Sequence, residues 1–329
     1  MRPFAYTRVS VPADAVNALA PDALFLAGGT NLLDLMKEGV ERPTALIDVT
    51  RLDLSRVDLL EDGALSIGAL AKNSDTANHP LVRVRHPLLS QAILAGASAQ
   101  IRNMATVGGN LNQRTRCPYF YEPALPCNKR VPGTGCSARD GINRGHAIFG
   151  WSDACIATHP SDMCVALAAL DATVAVLGRG GERREIAFSD YHRLPGDAPE
   201  RDNTLQPGEF VMSVTVPGDA LGDHCCYLKV RERTSYAFAL VSVAAALELR
   251  DDVIATVRLA MGGVAHKPWR AFEAERLLQG QRPSTEVFAA AADAEMAGAS
   301  PLPHNGYKVA LGRRLIVRAL ETALRGTGA

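Results

Sequence analysis

No stretch of this 329-residue sequence approaches the roughly 18 consecutive apolar residues of a membrane-crossing helix, so no membrane span is expected. Neither sign of charge dominates: 35 Lys and Arg balance 35 Asp and Glu, without a basic run or an interleaving of basic and aromatic residues. That argues against a nucleic-acid partner. The amino terminus has no basic segment leading into an apolar run and cleavage site, and no twin arginine. By its own sequence the chain is expected in the cytoplasm; it would reach the periplasm only with an exported, signal-bearing partner. Motifs of substrate chemistry are missing too. There is no G-x-S-x-G, no H-E-x-x-H, no recognisable carboxylate pair, no Walker A loop and no G-x-G-x-x-G. This absence points to an electron carrier.

What is present is an ordinary globular composition, 47% apolar and 21% charged, in a chain long enough for two domains. "DALFLAGGTNLLDLMKEG" predicts a strand, a Gly-Gly turn and a helix, and "TALIDVT" and "ALSIGAL" predict strands. "LLSQAILAGASAQIRNMATVGGN" predicts a helix running into a second Gly-Gly turn. "PSDMCVALAALDATVAVLG" predicts a helix and then a strand, and "REIAFSDY" and "EFVMSVTVP" predict further strand-like pieces. Beyond Pro217-Gly218-Asp219, "CCYLKVRERTSYAFALVSVAAALEL" and "VIATVRLAMGGVA" read as antiparallel strands followed by helices. The irregular alternation favours an α+β fold over a doubly wound sheet, with domains at residues 1–218 and 219–329.

Four of the seven cysteines, Cys117, Cys127, Cys136 and Cys155, fall within a segment of about 113–159, spaced C-x9-C-x8-C-x18-C. Zinc ribbons and fingers use pairs two to four residues apart, and bacterial ferredoxins use C-x2-C-x2-C; neither spacing occurs here. Four clustered thiols in a reducing compartment suit iron or zinc. The spacing alone leaves an iron–sulfur cluster, zinc, and disulfides or free thiols open. Tyr119, Phe120, Tyr121 and Trp151 are candidates to exclude water, and Gly133, Gly135 and Gly141 to donate amides to sulfur. Cys164 reads as a buried free thiol in an apolar helix. Cys225 and Cys226, adjacent in a strand, are expected on opposite faces. His146, His159 and His266 read as hydrogen-bonding or packing residues.

"AGGTN" at 27–31 and "TVGGN" at 106–110 place paired glycines between apolar segments. Such loops crowd backbone amides into a concavity suited to phosphate, and a helix following the first adds its dipole. With their flanks, "LAGGTNLLDLMK", "AQIRNMATVGGNLNQ" and "HPSDMCVALAALDATV" resemble the FAD-binding subunit of the molybdenum hydroxylases, the xanthine dehydrogenase and aldehyde oxidoreductase family. "YLKVRERTSYAFALVSVA" and "GGVAHKPWRAFEAE" resemble the carboxy-terminal domain of the same subunit, so the likeness runs the length of the chain. The insert "RCPYF…PCNKR…GC" resembles the branch whose flavin subunit also carries a [4Fe-4S] cluster, as in periplasmic aldehyde oxidoreductases.

The resemblance implies a two-subdomain FAD-binding fold of the vanillyl-alcohol oxidase (PCMH) type, followed by a small antiparallel sheet with helices, the carboxy-terminal flavoprotein domain of CO dehydrogenases. It implies that Leu26, Ala27, Gly28, Gly29, Thr30, Asn31, Leu32 and Leu33 wrap the FAD pyrophosphate. Thr106, Gly108, Gly109 and Asn110 would form a second wall, with Asp162 near the ribose or adenosine hydroxyls and Lys229 near the flavin ring. Cys117, Cys127, Cys136 and Cys155 would ligate the cluster. The molybdenum cofactor would sit on a large partner subunit and [2Fe-2S] clusters on a small one. Electrons would leave to a ferredoxin-like or other one-electron acceptor. A flavin subunit like that of 4-hydroxybenzoyl-CoA reductase or xanthine dehydrogenase is the alternative within the family, and a zinc-stabilised binding protein is the alternative outside it.

Overall fold

A computed structural model describes residues 1–218, 221 and 224–326. Three short strands come first: β1 (Ala5–Arg8), β2 (Ala23–Leu26) and β3 (Ala45–Asp48). They pair in parallel in the order β1-β3-β2. Parallel neighbours need crossovers, and the helices Pro12–Asn17 and Leu32–Lys37 lie in the connections. Val16, Ala23, Ile47 and Val49 form the small core of this layer.

The next strands are β4 (Val57–Leu59), β5 (Leu65–Gly68), β6 (Thr173–Leu177), β7 (Arg183–Ala187) and β8 (Phe210–Val216). They form an antiparallel sheet in the order β4-β5-β8-β6-β7. In β6 the alternation of Val174 and Val176 with less buried neighbours turns one face to the helices Pro87–Ala95 and Asp162–Ala169. The long connection between β5 and β6 carries both the second glycine pair and the cysteine segment.

The last strands are β9 (Cys225–Val230), β10 (Val241–Arg250), β11 (Val253–Gly262) and β12 (Trp269–Arg270), antiparallel in the order β12-β11-β10-β9. Strand β10 is buried on both faces. Val243, Ala245 and Leu247 face the carboxy-terminal helices, while Ala244 and Ala246 face the core shared with Asp162–Ala169. Cys225 and Cys226 obey the same alternation and enter opposite cores, as expected. The amphipathic helix Tyr307–Arg325 presses Leu315, Ile316, Ala319, Leu320 and Ala323 onto this sheet. Among the described residues no helix is long and apolar enough to cross a membrane.

The expected α+β architecture with a terminal antiparallel sheet is the observed one. Three local expectations need correction. The helix through residues 88–110 is broken: Ala97 adopts φ 50°, and Ser98 starts a new helix, Ala99–Met104, by accepting from Ile101 N at 3.3 Å. The second glycine pair is not a turn but lies within the helix Val107–Leu111, capped by Thr106. "REIAFSDY" stops being a strand at Ala187, because Phe188–Tyr191 turns helical to bury Phe188 and Tyr191. Of the Pro-Gly-Asp boundary signal, Asp219 lies outside the described residues.

Candidate functional site

The first glycine pair sits where β2 hands over to the helix Leu32–Lys37. A Cβ on Gly28 would overlap the Met104 carbonyl, and Gly29 adopts φ 71°, so the loop needs glycine at both positions. Two clefts meet at Thr30, Asn31 and Gly109. One is mainly apolar, lined by Leu24, Phe25, Leu70 and Phe210 together with Gly28, Gly29, Leu32, Thr106 and Gly108. The other is polar, with Asp34, Asn110, Gln113, Arg116, Tyr121, Asp162 and Lys229 beside the exposed Tyr236 and Phe238. Of the first-loop residues singled out from sequence, Ala27 also lines the apolar cleft, whereas Leu26 and Leu33 bracket the loop. Leu26 accepts from Val49 N, and Leu33 packs beneath Gly29.

The second pair contributes differently from expectation. Gly108 N donates to Ala69 O at 2.7 Å, Gly109 N to Thr106 Oγ1 at 3.2 Å, and Asn110 N to Thr106 O at 2.8 Å. These amides serve the fold and do not form a nest of free donors. What the glycines provide is closeness: Gly108 lies flat against Ala69. Asn110 Oδ1 accepts from Ser161 Oγ, the N-cap of Asp162–Ala169, which ties the second wall to the "HPSD" helix.

Asp162 and Lys229, expected at opposite ends of a dinucleotide, form one ion pair. Lys229 Nζ lies 2.7 Å from Asp162 Oδ2, with both side chains buried. Lys229 also donates to Ala95 O at 3.2 Å, and Tyr227 Oη to Asp162 Oδ1 at 2.6 Å.

The cysteine segment folds around two single helical turns, Pro118–Tyr121 and Ser137–Asp140. Cys117, Cys127, Cys136 and Cys155 all line one small cavity, closed by Tyr119, Phe120, Ala138 and Ala157. None forms a disulfide. Cys127 and Cys136 face each other across an isolated bridge, and backbone groups of Phe120 and Tyr119 hydrogen-bond the Cys117 sulfur. Ala157 N donates to Cys155 Sγ at 3.4 Å. Burial pushes the Cys117 thiol up to about 12 and the Cys155 thiol up to about 11. Four free thiols, two buried and two partly buried, converge in a cavity that no carboxylate lines; they form the donor set of a soft metal or an iron cluster, whose binding would drive off those protons.

The expected amide donors are misplaced in part. Gly135 N is taken by Asn128 Oδ1 at 2.7 Å, and Gly141 lies against the Tyr119 ring. Gly133 does not line the cavity, and Trp151 turns outward to Ser300 O. His146, read as a hydrogen-bonding or packing residue, places its Nε2 3.1 Å from Cys117 Sγ; missed from the sequence is Lys129, a buried cation lining the cavity. Lys129 pairs with Asp202, which Arg114 Nε also meets at 2.6 Å. Burial lowers the pKa of His266 to about 4, Lys129 adding to the effect, and of His192 to about 4; His159 is also lowered. Cys164 is buried beside His159 and His192, apart from the other four.

The family described as FAD binding domain in molybdopterin dehydrogenase matches residues 2–219, and the CO dehydrogenase flavoprotein C-terminal domain matches residues 226–323. The aldehyde oxidoreductase FAD-binding subunit PaoB of Escherichia coli K12 is 48% identical over 326 residues, spanning 98% of this chain and 99% of its own. The glyceraldehyde dehydrogenase medium chain of Sulfolobus acidocaldarius is 27% identical over 85% of this chain and 82% of its own. Among solved structures, carbon monoxide dehydrogenase from Hydrogenophaga pseudoflava, in a form lacking the Mo-pyranopterin moiety, superposes with a TM-score of 0.77 at 26% identity over 98% of both chains. Matches to two successive domains, with 48% identity to one relative along nearly the whole length, leave one assignment. The chain belongs to the FAD-binding subunits of the molybdenum hydroxylase family and is an FAD-binding oxidoreductase subunit.

Proposed function

We propose that this chain is the electron-transfer subunit of an aldehyde-oxidising molybdenum hydroxylase, and that its four clustered cysteines hold a [4Fe-4S] cluster beside the FAD. The convergence of Cys117, Cys127, Cys136 and Cys155 on one cavity carries this reading. Residues 1–218 would bind the cofactors and residues 219–329 would form the second domain, a division supported by the two family matches. The aldehyde substrate class rests on the likeness to a protein named as an aldehyde oxidoreductase subunit.

Bound FAD supplies a carrier that exchanges electrons singly or in pairs, and an iron–sulfur cluster supplies a one-electron station. The chain's own residues hold and shield these groups. Gly28 and Gly29 line the apolar cleft up to Thr30, where the two clefts meet, and the helix Leu32–Lys37 begins beside them, which suits a pyrophosphate. The apolar cleft fits the adenosine end and the polar cleft the flavin ring. Asp162 and Lys229 would then meet the flavin end together. As a pair they are neutral, which weakens the pull that a lone lysine would exert on a reduced ring. Phe120 and Tyr119 exclude water from the cysteines. Partners would be a large subunit carrying the molybdenum cofactor, a small [2Fe-2S] subunit and a ferredoxin-like one-electron acceptor.

The test is an anaerobic absorbance spectrum of the purified chain, with flavin, iron, zinc and acid-labile sulfide counted on the same sample. Equimolar FAD with about four irons and four sulfides is expected. Zinc in place of iron would overturn the cluster assignment and make the cysteine segment a structural staple.

A further inference from the structure

His146 is almost wholly buried, and its Nε2 lies 3.1 Å from Cys117 Sγ. A sulfur bound to metal carries no proton, so a contact this short requires the hydrogen to sit on the ring nitrogen. The backbone that carries the ring is tied on both sides. His146 N donates to Asn143 O at 3.0 Å, and its carbonyl accepts from Asn305 Nδ2 at 3.2 Å and Lys308 Nζ at 2.9 Å. Asn305 and Lys308 are fully buried at the start of the last helix, and Lys308 also donates to Gly145 O at 3.0 Å and Gly263 O at 2.6 Å. Asn143 is buried too, its Oδ1 accepting from His304 N at 3.0 Å. The carboxy-terminal part of the chain therefore fixes the backbone from which this side chain of the cysteine segment reaches Cys117.

We propose that His146, clamped by Asn305 and Lys308, donates its Nε2–H to Cys117 Sγ and thereby raises the reduction potential of the metal group held by the four cysteines. The inference rests on the cluster reading above and deepens it. A hydrogen bond to a ligand sulfur draws charge from the sulfur and stabilises the more negative, reduced state over the oxidised one. His146 acts through Cys117, as a positioning residue, and is not itself a ligand.

The experiment is an EPR-monitored redox titration of purified holoprotein carrying His146→Leu or His146→Gln, with iron and sulfide counted first. The expected result is a midpoint shifted to lower potential in His146→Leu and restored towards the unsubstituted value in His146→Gln, whose amide nitrogen can reach the place of Nε2. Unchanged potential in an iron-replete His146→Leu protein overturns the inference and leaves the cluster reading standing. A protein without iron before any substitution overturns the reading itself. Should His146→Leu fail to hold iron, electron–nuclear double resonance on reduced, ¹⁵N-histidine-labelled protein decides. A weak ¹⁵N coupling that vanishes in His146→Gln supports the contact, and its absence from the unsubstituted protein overturns it.

Discussion

Lys229 Nζ and Asp162 Oδ2 are 2.7 Å apart inside the wall of the polar cleft, joining strand β9 to the first turn of the helix Asp162–Ala169. Two residues that the sequence offers as separate cofactor contacts are therefore one unit. Breaking a buried pair from one side leaves a stranded charge, at a cost of about 3–5 kcal/mol, whereas replacing both partners is often nearly neutral. Lys229→Met is expected to destabilise the FAD-free chain by about that amount and to lower the flavin midpoint potential in the holoprotein. Lys229→Met with Asp162→Leu should recover most of both losses. Urea denaturation and potentiometric flavin titration of the cycle measure the two effects. Additive losses would show that the pair does not act as a unit.

Gly28 is held against the Met104 carbonyl without room for a side chain. Gly28→Ala should push the loop outward and purify with far less flavin per chain, as read from absorbance after acid release. Gly306→Ala, at a position with no atom within 4 Å of the new methyl, should keep its flavin.

The cysteines divide by location. Cys155→Ala should lose iron, because its sulfur lines the shared cavity. Cys164→Ala removes a fully buried sulfur from the helix Asp162–Ala169. It should cost roughly 1 kcal/mol through the small void left behind and keep iron unchanged. Equal iron loss in both variants would refute the ligand assignment.

Asp202 links the cysteine segment to the rest of the chain through Lys129 and Arg114. Those cations hold its carboxyl well below the usual carboxylate range despite the opposing effect of burial. A depressed folded-state pKa contributes stability that is present above the unfolded value, near 4, and lost as pH falls below it. Acidification from pH 5 towards pH 3 should therefore remove about 1 kcal/mol through this group. Asp202→Asn should be less stable at pH 7 by about 3 kcal/mol, since Lys129 is left buried and unpaired, and the gap should narrow with acid. Denaturation midpoints measured across that range give the comparison. A constant gap would place the acid sensitivity elsewhere.

Much of this protein was legible along the chain because it rests on local rules. Alternating Val and Ala in β10 announce a strand, and the strictly two-residue period sends Cys225 and Cys226 to different cores whatever surrounds them. The paired glycines at 28 and 29 mark a close backbone approach because no other residue fits there. The four cysteines of one segment were legible as a group that the fold gathers on one cavity, and the likeness of the flanking motifs to a family named the flavin.

Contacts between distant segments were decided only by the tertiary structure. Nothing local to Lys229 pairs it with Asp162, 67 positions away, and nothing local to His146 turns its ring to Cys117. The backbone that carries that ring is held by Asn305 and Lys308 from the far end of the chain. The second glycine pair shows the same limit. Its residues suit a phosphate nest as well as a helix, and the carbonyl of Ala69 and the capping Thr106 chose the helix. Backbone donors take whichever acceptor the packed fold brings within reach, and that choice is not written in the residues beside them.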